Sequence, residues 1–297
     1  MKLLPFAAGT ALAQIPELHF PAQPRDRLAV TSWPFRAYIV SPTNPNRKSS
    51  VPGMDLTDFP QFVVEKFGVR NINPLAAHFR STDPAYLDAF RSAVEKAGSH
   101  LVDLGIGAGD FYSSDPAVQQ QAFAYGSKWV DIASHIGSPS VRQHLRVRPG
   151  DKPDAALLAQ ALGRLVEYGT KRNIVINLEN DDRIAEDPFV IVAAIEKVNS
   201  PYLRALPDFG NSLAGHDAEY SANGVAAMLK HVFNMCHVKD VLETEGGQQV
   251  KVDLARMFGL AKQASYRGYY SMEFDTDAGD PVVGTKNLVE TTLKYLG

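Results

Sequence analysis

Four short apolar runs each end in a charged or ionisable side chain, and the four ends are almost evenly spaced. The side chains lie 29, 29 and 36 residues apart. Each interval accommodates about one strand–helix–strand unit. Because the carboxyl ends of neighbouring strands lie side by side in a parallel barrel, we expect the four side chains to converge. They are Glu179, Asp208, His237 and Glu273.

The rest of the chain alternates short apolar runs with longer segments of helical periodicity, beginning with a strand at residues 28–33. Eight such alternations predict an α/β fold, a single (β/α)8 TIM barrel, for which 297 residues suffice. A doubly wound sheet is the alternative, but it would not bring four successive strand ends around one centre. Four helix starts carry an aspartate that can cap the helix, followed by a proline that has no N–H to leave unpaired. These pairs are Asp83-Pro84, Asp115-Pro116, Asp187-Pro188 and Asp280-Pro281.

Residues 1–13 have the pattern of an export signal. Lys2 precedes an apolar run over residues 3–12, and Ala11-Leu12-Ala13 fits a small-x-small cleavage site. We expect residues 1–13 to be a signal peptide, residues 14–27 a linker or N-terminal arm, and residues 28–297 the barrel. The protein is then periplasmic or extracellular; if the segment is only an apolar tail, it is cytoplasmic. No run is long enough to span a bilayer, so the mature form is not expected in a membrane.

Charge and cysteine content exclude several classes of protein. The formal net charge of −3 provides no clustered positive surface for nucleic acid. The single cysteine, Cys236, excludes an internal disulfide and a multi-cysteine metal site.

The four strand ends form a donor set of carboxylate oxygens and one imidazole. Such a set suits one divalent metal ion: Mn, Mg, Co or Zn. Three carboxylates brought together without a cation would repel one another, which favours a metal. Taken singly, each residue has a structural alternative: Glu179 and Glu273 could cap helices, Asp208 lies in a turn sequence, and His237 could be a core histidine. The ordered set favours the ligand interpretation.

The motifs around these residues resemble those of the xylose isomerase-like TIM barrels, a family of sugar isomerases and epimerases related to endonuclease IV. The matching pieces are Asn-Leu-Glu179-Asn, Pro-Asp208-Phe-Gly-Asn, Cys-His237-Val-Lys-Asp and Ser-Met-Glu273-Phe. The resemblance implies that these four residues bind one divalent metal, which holds vicinal oxygens of a sugar. It also implies that Glu179 and Glu273 act as acid and base across the substrate carbon.

Two positions depart from the pattern of the epimerases in this family. Many of them have a histidine three residues after the metal-binding aspartate and an arginine six residues after the metal-binding histidine. This chain has Asn211 and Glu243 there, so the substrate must be held differently. The additional histidine ligands and basic DNA-binding face of endonuclease IV are not evident.

Further candidate substrate contacts lie near the predicted strand ends. Arg142 ends the fourth strand together with Gln143 and His144, and we expect one of the three to face inward. The aromatic ring of Trp33 could stack on a sugar or pack in the core, and Lys239 could bind a hydroxyl or pair with Asp240. The full set of substrate candidates is Lys239, Asp240, Asn211, His78, Arg142 and Trp33.

These observations predict an isomerase or epimerase that acts on a non-phosphorylated sugar or polyol by proton transfer through an enediolate. The acidic segment at residues 275–280 disfavours a phosphorylated substrate. The alternatives from the same superfamily are a keto-polyol dehydratase, an endonuclease IV-like hydrolase and a carbohydrate-binding protein without turnover. The expected partner is a small-molecule sugar, and the oligomeric state stays open.

Overall fold

A computed structural model describes residues 17–150, 152–244, 247–275 and 279–297, so the predicted signal peptide at residues 1–13 lies outside the described residues. The described strands are β1 (Leu28–Thr31), β2 (Asn71–Asn73), β3 (His100–Leu101), β4 (Leu104–Gly109), β5 (Ser140–Leu145), β6 (Val175–Glu179), β7 (Leu203–Leu206), β8 (Met235–Val238), β9 (Val241–Glu243), β10 (Gln249–Lys251) and β11 (Tyr269–Met272). The described α-helices are α1 (Phe59–Phe67), α2 (Pro84–Lys96), α3 (Pro116–Ile136), α4 (Ala155–Thr170), α5 (Pro188–Val198), α6 (Ala218–Leu229), α7 (Leu254–Gln263) and α8 (Pro281–Leu296).

The parallel strands close into an eight-position barrel, which confirms the predicted fold. They form two segments, ordered β3-β2-β1-β11-β8 and β4-β5-β6-β7. Isolated parallel bridges join the segments at both seams, between Leu75 and Gly105 and between Asp208 and His237. The antiparallel hairpin β9–β10 lies between β8 and α7 and does not belong to the barrel.

The third barrel position is divided into two strands, β3 and β4. Asp103 lies at the interruption and is fully buried. Its Oδ1 accepts hydrogen bonds from Ser140 Oγ at 2.5 Å and Asn177 Nδ2 at 3.0 Å. These polar contacts hold Asp103 inside the barrel at the point where the regular ladder is interrupted.

The Asp-Pro pairs mark helix starts as predicted, with one difference in detail. The side chains of Asp115, Asp187 and Asp280 accept hydrogen bonds from backbone N–H groups of α3, α5 and α8. Asp83 precedes α2 without such a bond and instead accepts one from Ser81 Oγ at 2.8 Å.

The described part of the N-terminal arm is attached to the barrel rather than extended away from it. It includes a 3-10 helix, Pro24–Arg27. Arg27 donates to the backbone oxygens of Gly268 at 3.1 Å and Tyr266 at 3.2 Å, just before β11 begins. The arm therefore packs at the amino ends of the strands, opposite the mouth. Among the described helices, none combines the length and apolar character needed to cross a membrane.

The long loop after the first strand lies at the mouth of the barrel, where the carboxyl ends of the strands open. Asn44 Nδ2 braces the loop by donating to the backbone oxygens of Arg36 at 2.7 Å and Ile39 at 2.8 Å. Thr43 Oγ1 donates to Ala77 O at 3.0 Å and so attaches the loop to the segment that follows β2.

Candidate active site

The four strand-end residues converge at the mouth of the barrel. Each offers one ligand atom, and these atoms all lie within 4.8 Å of one another. Strand register causes the convergence: Asp208 pairs with His237 across the seam, and Glu273 N donates to Val238 O at 2.9 Å. Glu179, Asp208 and His237 are fully buried, and Glu273 is nearly so.

His237 lies between the two glutamates. Its Nδ1 is 2.5 Å from Glu179 Oε1 and 3.2 Å from Glu273 Oε2. Its other ring nitrogen, Nε2, is 3.1 Å from the side-chain amide of Asn73, which also accepts a hydrogen bond from Ser271 Oγ at 2.5 Å. Burial lowers the pKa of His237, but Glu273 and Glu179 more than offset this and raise it to about 10. Nδ1 therefore carries a proton toward the glutamates when no metal is bound, and Nε2 faces the amide nitrogen of Asn73.

Asp208 is held rigidly by backbone donors, yet one of its oxygens accepts no hydrogen bond. Oδ1 accepts from the backbone N–H groups of Gly210 at 2.7 Å and Asn211 at 2.6 Å. The Asn180 side chain bonds both the N–H and the carbonyl oxygen of Asp208, at 2.8 and 3.1 Å. Oδ2 is buried without a hydrogen-bond partner among the described residues. Burial raises the pKa of Asp208 to about 7, although Lys239 opposes this.

Two cationic side chains lie against the carboxylates. Arg142 forms an ion pair with Glu179, and Lys239 Nζ lies 3.2 Å from Glu273 Oε2 and 3.4 Å from Asp208 Oδ2. Burial would raise the pKa of Glu179, but Arg142 and then His237 hold it at about 2. The carboxylates are thus neutralised within the protein. Because these cations already balance the carboxylates, the carboxylate repulsion predicted from the sequence does not by itself require a metal.

The donor set nevertheless fits a divalent ion. Ligand atoms within 4.8 Å of one another need only small side-chain shifts to reach one centre at bond lengths of about 2.0–2.3 Å. Asp208 Oδ2 is buried and accepts no hydrogen bond among the described residues, and Lys239 Nζ lies 3.4 Å away, so a metal ion would satisfy this oxygen at closer range. A metal at this site would displace the proton of His237, since only neutral imidazole is a ligand.

A cavity of about 450 Å³ opens above these residues and is named the mouth cavity here; it is lined in part by Glu273. Four of the substrate candidates line it: Trp33, Arg142, Asn211 and Lys239. Asn211 Oδ1 accepts a hydrogen bond from Lys239 Nζ at 2.6 Å. Glu243 also lines the mouth cavity, so both positions that depart from the epimerase pattern face the substrate space.

The structure does not place the other two substrate candidates at the mouth cavity. His78 is buried in the segment that follows β2, and its Nδ1 lies 2.7 Å from Ser32 Oγ. Asp240 is half-buried after β8 and is not among the residues that line the cavity. Lys239 does not pair with Asp240, because the lysine side chain turns inward to Asn211 and the carboxylates.

Several residues that organise the site were not identified from sequence. Asn73 contacts His237, Asn180 clamps Asp208, and Glu186 holds the ring of His144 at 3.0 Å. The available signal was polarity at a strand end, as in Asn71-Ile72-Asn73 and in Asn180 directly after Glu179. That signal does not specify which partner each side chain reaches.

Fold and site together define a (β/α)8 barrel whose mouth carries a buried set of three carboxylates and a histidine. The family model described as "Xylose isomerase-like TIM barrel" matches residues 63–296. The chain belongs to this family, as its motifs suggested.

Solved structures with the same fold include proteins in complex with a metal ion or a sugar. A xylose isomerase-like TIM barrel protein from Mycobacterium smegmatis in complex with magnesium is 16% identical, with a TM-score of 0.64, covering 91% of this chain and 98% of that one. D-allulose 3-epimerase from Methylomonas sp. in complex with D-allulose is 18% identical, with a TM-score of 0.65, covering 93% and 97%. A D-psicose 3-epimerase is 12% identical, with a TM-score of 0.67, covering 91% and 97%. At these identities the similarity establishes the fold. A comparison with curated proteins gave no match.

Proposed function

We propose that the protein is a divalent-metal-dependent isomerase or epimerase of a non-phosphorylated sugar or polyol. The observation that carries the proposal is the convergence of Glu179, Asp208, His237 and Glu273, whose ligand atoms lie within 4.8 Å of one another. The magnesium complex and the D-allulose complex of similarly folded proteins support the type of cofactor and substrate. Mn, Mg, Co and Zn all suit the donor set.

The two glutamates are assigned as the acid–base pair. When bound, the metal would stabilise negative charge on a substrate oxygen and so make the adjacent C–H bond more acidic. Glu179 and Glu273 approach the site from different strands, and both contact His237 Nδ1. One carboxylate removes the proton from the substrate carbon, and the other, or the same one, returns it to the enediolate.

Arg142 and Lys239 are assigned to the substrate oxygens. Both are buried cations that line the mouth cavity beside the glutamates. Once a metal neutralises the carboxylates, their N–H groups can donate to hydroxyls and to the oxygen on which charge develops. Glu243 and Asp275 line another part of the same cavity, where their carboxylates would repel a phosphate group.

Metal content tests the first part of the proposal. Protein purified without chelator should contain about one divalent ion per chain. Asp208→Asn should lose it, because two backbone N–H groups hold the Oδ1 position and the amide nitrogen, which is not a metal ligand, then replaces Oδ2. Asp217→Asn is the matched control, since Asp217 caps α6 and asparagine caps a helix equally well. The metal content of wild type, Asp208→Asn and Asp217→Asn is measured by elemental analysis. Full metal content in the Asp208 variant would contradict the assignment.

Isotope exchange tests the second part. Once a sugar that is turned over has been found, the reaction in D₂O should place deuterium at the product carbon, as detected by NMR. Glu179→Gln and Glu273→Gln should each lower the rate by at least about 10²–10⁴-fold. If both variants retain metal and near-full activity, the acid–base assignment is wrong.

A second candidate function, carbohydrate binding without turnover, is favoured by one specific observation. Arg142 and Lys239 already pair with the carboxylates, so the site is electrostatically stable without a metal. If the protein only binds carbohydrate, the metal-free protein should bind sugar as tightly as the protein purified without chelator. Neither form should then catalyse exchange of sugar hydrogen with D₂O.

We also propose that residues 1–13 are removed on export. The support is the sequence pattern around Lys2 and Ala11-Leu12-Ala13. N-terminal sequencing of the native protein should begin near Gln14, and an intact Met1 would count against export.

A further inference from the structure

A second cavity, of about 560 Å³, lies beside the mouth cavity and is named the side cavity here. His144 and Asp181 line both cavities. At three neighbouring strand ends, one residue lines the mouth cavity and the next residue in sequence lines the side cavity. The pairs are Gly107 and Ala108 on β4, His144 and Leu145 on β5, and Asp181 and Asp182 after β6. The two cavities therefore adjoin across the ends of β4, β5 and β6, and together they are called the groove here.

The imidazole of His144 is fixed at the junction of the two cavities. Its Nδ1 is 3.0 Å from Glu186 Oε1, and Glu186 also accepts hydrogen bonds from Leu145 N at 2.7 Å and Asp182 N at 2.9 Å. Because the buried carboxylate of Glu186 accepts a hydrogen bond, Nδ1 of His144 carries the proton, and the other ring nitrogen, Nε2, faces the groove.

The junction has space for a hydroxyl group. His144 Nε2 lies 3.6 Å from Asp181 Oδ2, which is too far for a direct hydrogen bond. A hydroxyl near both atoms could donate to one of them and satisfy it. The four-residue site does not use either side chain, so this pair is available for a different part of a ligand.

The side cavity has the mixed character that suits a second sugar ring. Val147, Pro149 and Ile184 supply apolar surface for the C–H faces of a ring, while Asp182 supplies a hydrogen-bond acceptor. Arg148 in its wall is already paired with Asp110 at 3.2 Å. The acidic side chains at the junction disfavour a phosphate in this position.

We propose that the substrate is a two-ring sugar. Its reacting sugar lies in the mouth cavity in the open-chain form, which has the carbonyl that an enediolate requires, and its second sugar lies as a ring in the side cavity with hydroxyls bound by His144 and Asp181. The placement of the reacting sugar rests on the proposed function, whereas the placement of the second ring rests on the shared walls of the two cavities.

Titration calorimetry of the protein saturated with Mn²⁺ tests this proposal. The probes are D-fructose and three disaccharides, turanose, maltulose and isomaltulose, in which glucose is attached to different hydroxyls of fructose. We expect at least one disaccharide to bind about tenfold or more tightly than D-fructose, a difference of about 1.4 kcal/mol.

Ala108→Phe separates the two cavities. Ala108 is exposed, lines the side cavity and is not among the residues that line the mouth cavity. The phenyl ring should occupy the part of the side cavity that adjoins the mouth cavity and reduce disaccharide affinity to that of D-fructose, while D-fructose affinity is unchanged. Ala89→Phe, at an exposed position on α2, is the matched control and should alter neither.

The possible results discriminate between the two proposals. Equal affinity for D-fructose and every disaccharide, or an equal loss of both in Ala108→Phe, overturns the two-ring substrate and leaves the proposed function standing. Absence of binding by any of these sugars counts against both. A third result is tight disaccharide binding that Ala108→Phe abolishes, with no deuterium exchange from D₂O into the bound sugar. This result supports the two-ring ligand and rules out the proposed isomerase or epimerase activity.

Discussion

Acidification should destabilise the folded protein through a buried histidine, His78. The side chain is 1% exposed. Ser32 Oγ accepts a hydrogen bond from Leu75 N at 3.0 Å, so its own hydroxyl proton is directed to His78 Nδ1 at 2.7 Å. Burial, followed by the positive charge of Arg36, lowers the pKa of His78 from 6.5 to about 3. Folding therefore requires the neutral imidazole.

The sign and size of the effect follow from this pKa. A histidine with a depressed folded-state pKa binds protons more strongly in the unfolded chain, so its contribution to stability is present above about pH 6.5 and is lost as pH falls toward 3. The loss is about 1.4 kcal/mol per pH unit within that window. At about pH 5 it amounts to about 2 kcal/mol, a sizeable part of a total stability of about 5–15 kcal/mol.

Urea unfolding of wild type and His78→Gln, with chelator present, isolates this contribution from other titrating groups. Between about pH 7.5 and about pH 5, wild type should lose about 2 kcal/mol more of its free energy of unfolding than the variant. His100→Gln makes the same change at an exposed position and is the control. Parallel losses in wild type and His78→Gln would refute the argument, because His78 would then not be held neutral by folding.

Three further substitutions test other parts of the structure by urea unfolding. Burial raises the pKa of Asp103, so the contribution of this side chain to the free energy of unfolding is present at low pH and lost as pH rises. Asp103→Asn should therefore gain stability relative to wild type between about pH 4 and about pH 8, and a difference that stays constant with pH would contradict this. Gly284→Ala places a Cβ 2.4 Å from the Phe274 ring and should cost about 1–3 kcal/mol. Gly259→Ala, inside α7 and with no neighbouring side chain within 4 Å, should instead stabilise the protein by about 0.5–1 kcal/mol, because alanine favours a helix. Equal effects of the two substitutions would refute the clash. Asn180→Ala removes two hydrogen bonds to the backbone of Asp208 and should lower the free energy of unfolding by about 2–4 kcal/mol. Unchanged stability in this variant would contradict the prediction.

The barrel and its four strand ends could be predicted from sequence because each is specified within one strand and the loop that follows it. The apolar run ending at Glu179 specifies a buried strand, and the polar residue at its end specifies the side of the barrel on which it emerges. The family motifs added the order of the four residues. Regular spacing then brings neighbouring ends together through the register of parallel strands, as the bridge between Asp208 and His237 shows.

The sequence by itself therefore determined the fold and the convergence of Glu179, Asp208, His237 and Glu273. Tertiary structure decided which cations approach them. Arg142 lies 37 residues before its partner Glu179, and no local pattern selects it over Gln143 or His144. Which of three consecutive side chains turns inward depends on the pleat and tilt of the strand in the closed barrel. The same geometry buries His78 away from the mouth cavity and brings two cavities together at His144, because contacts between distant strands form only when the barrel closes.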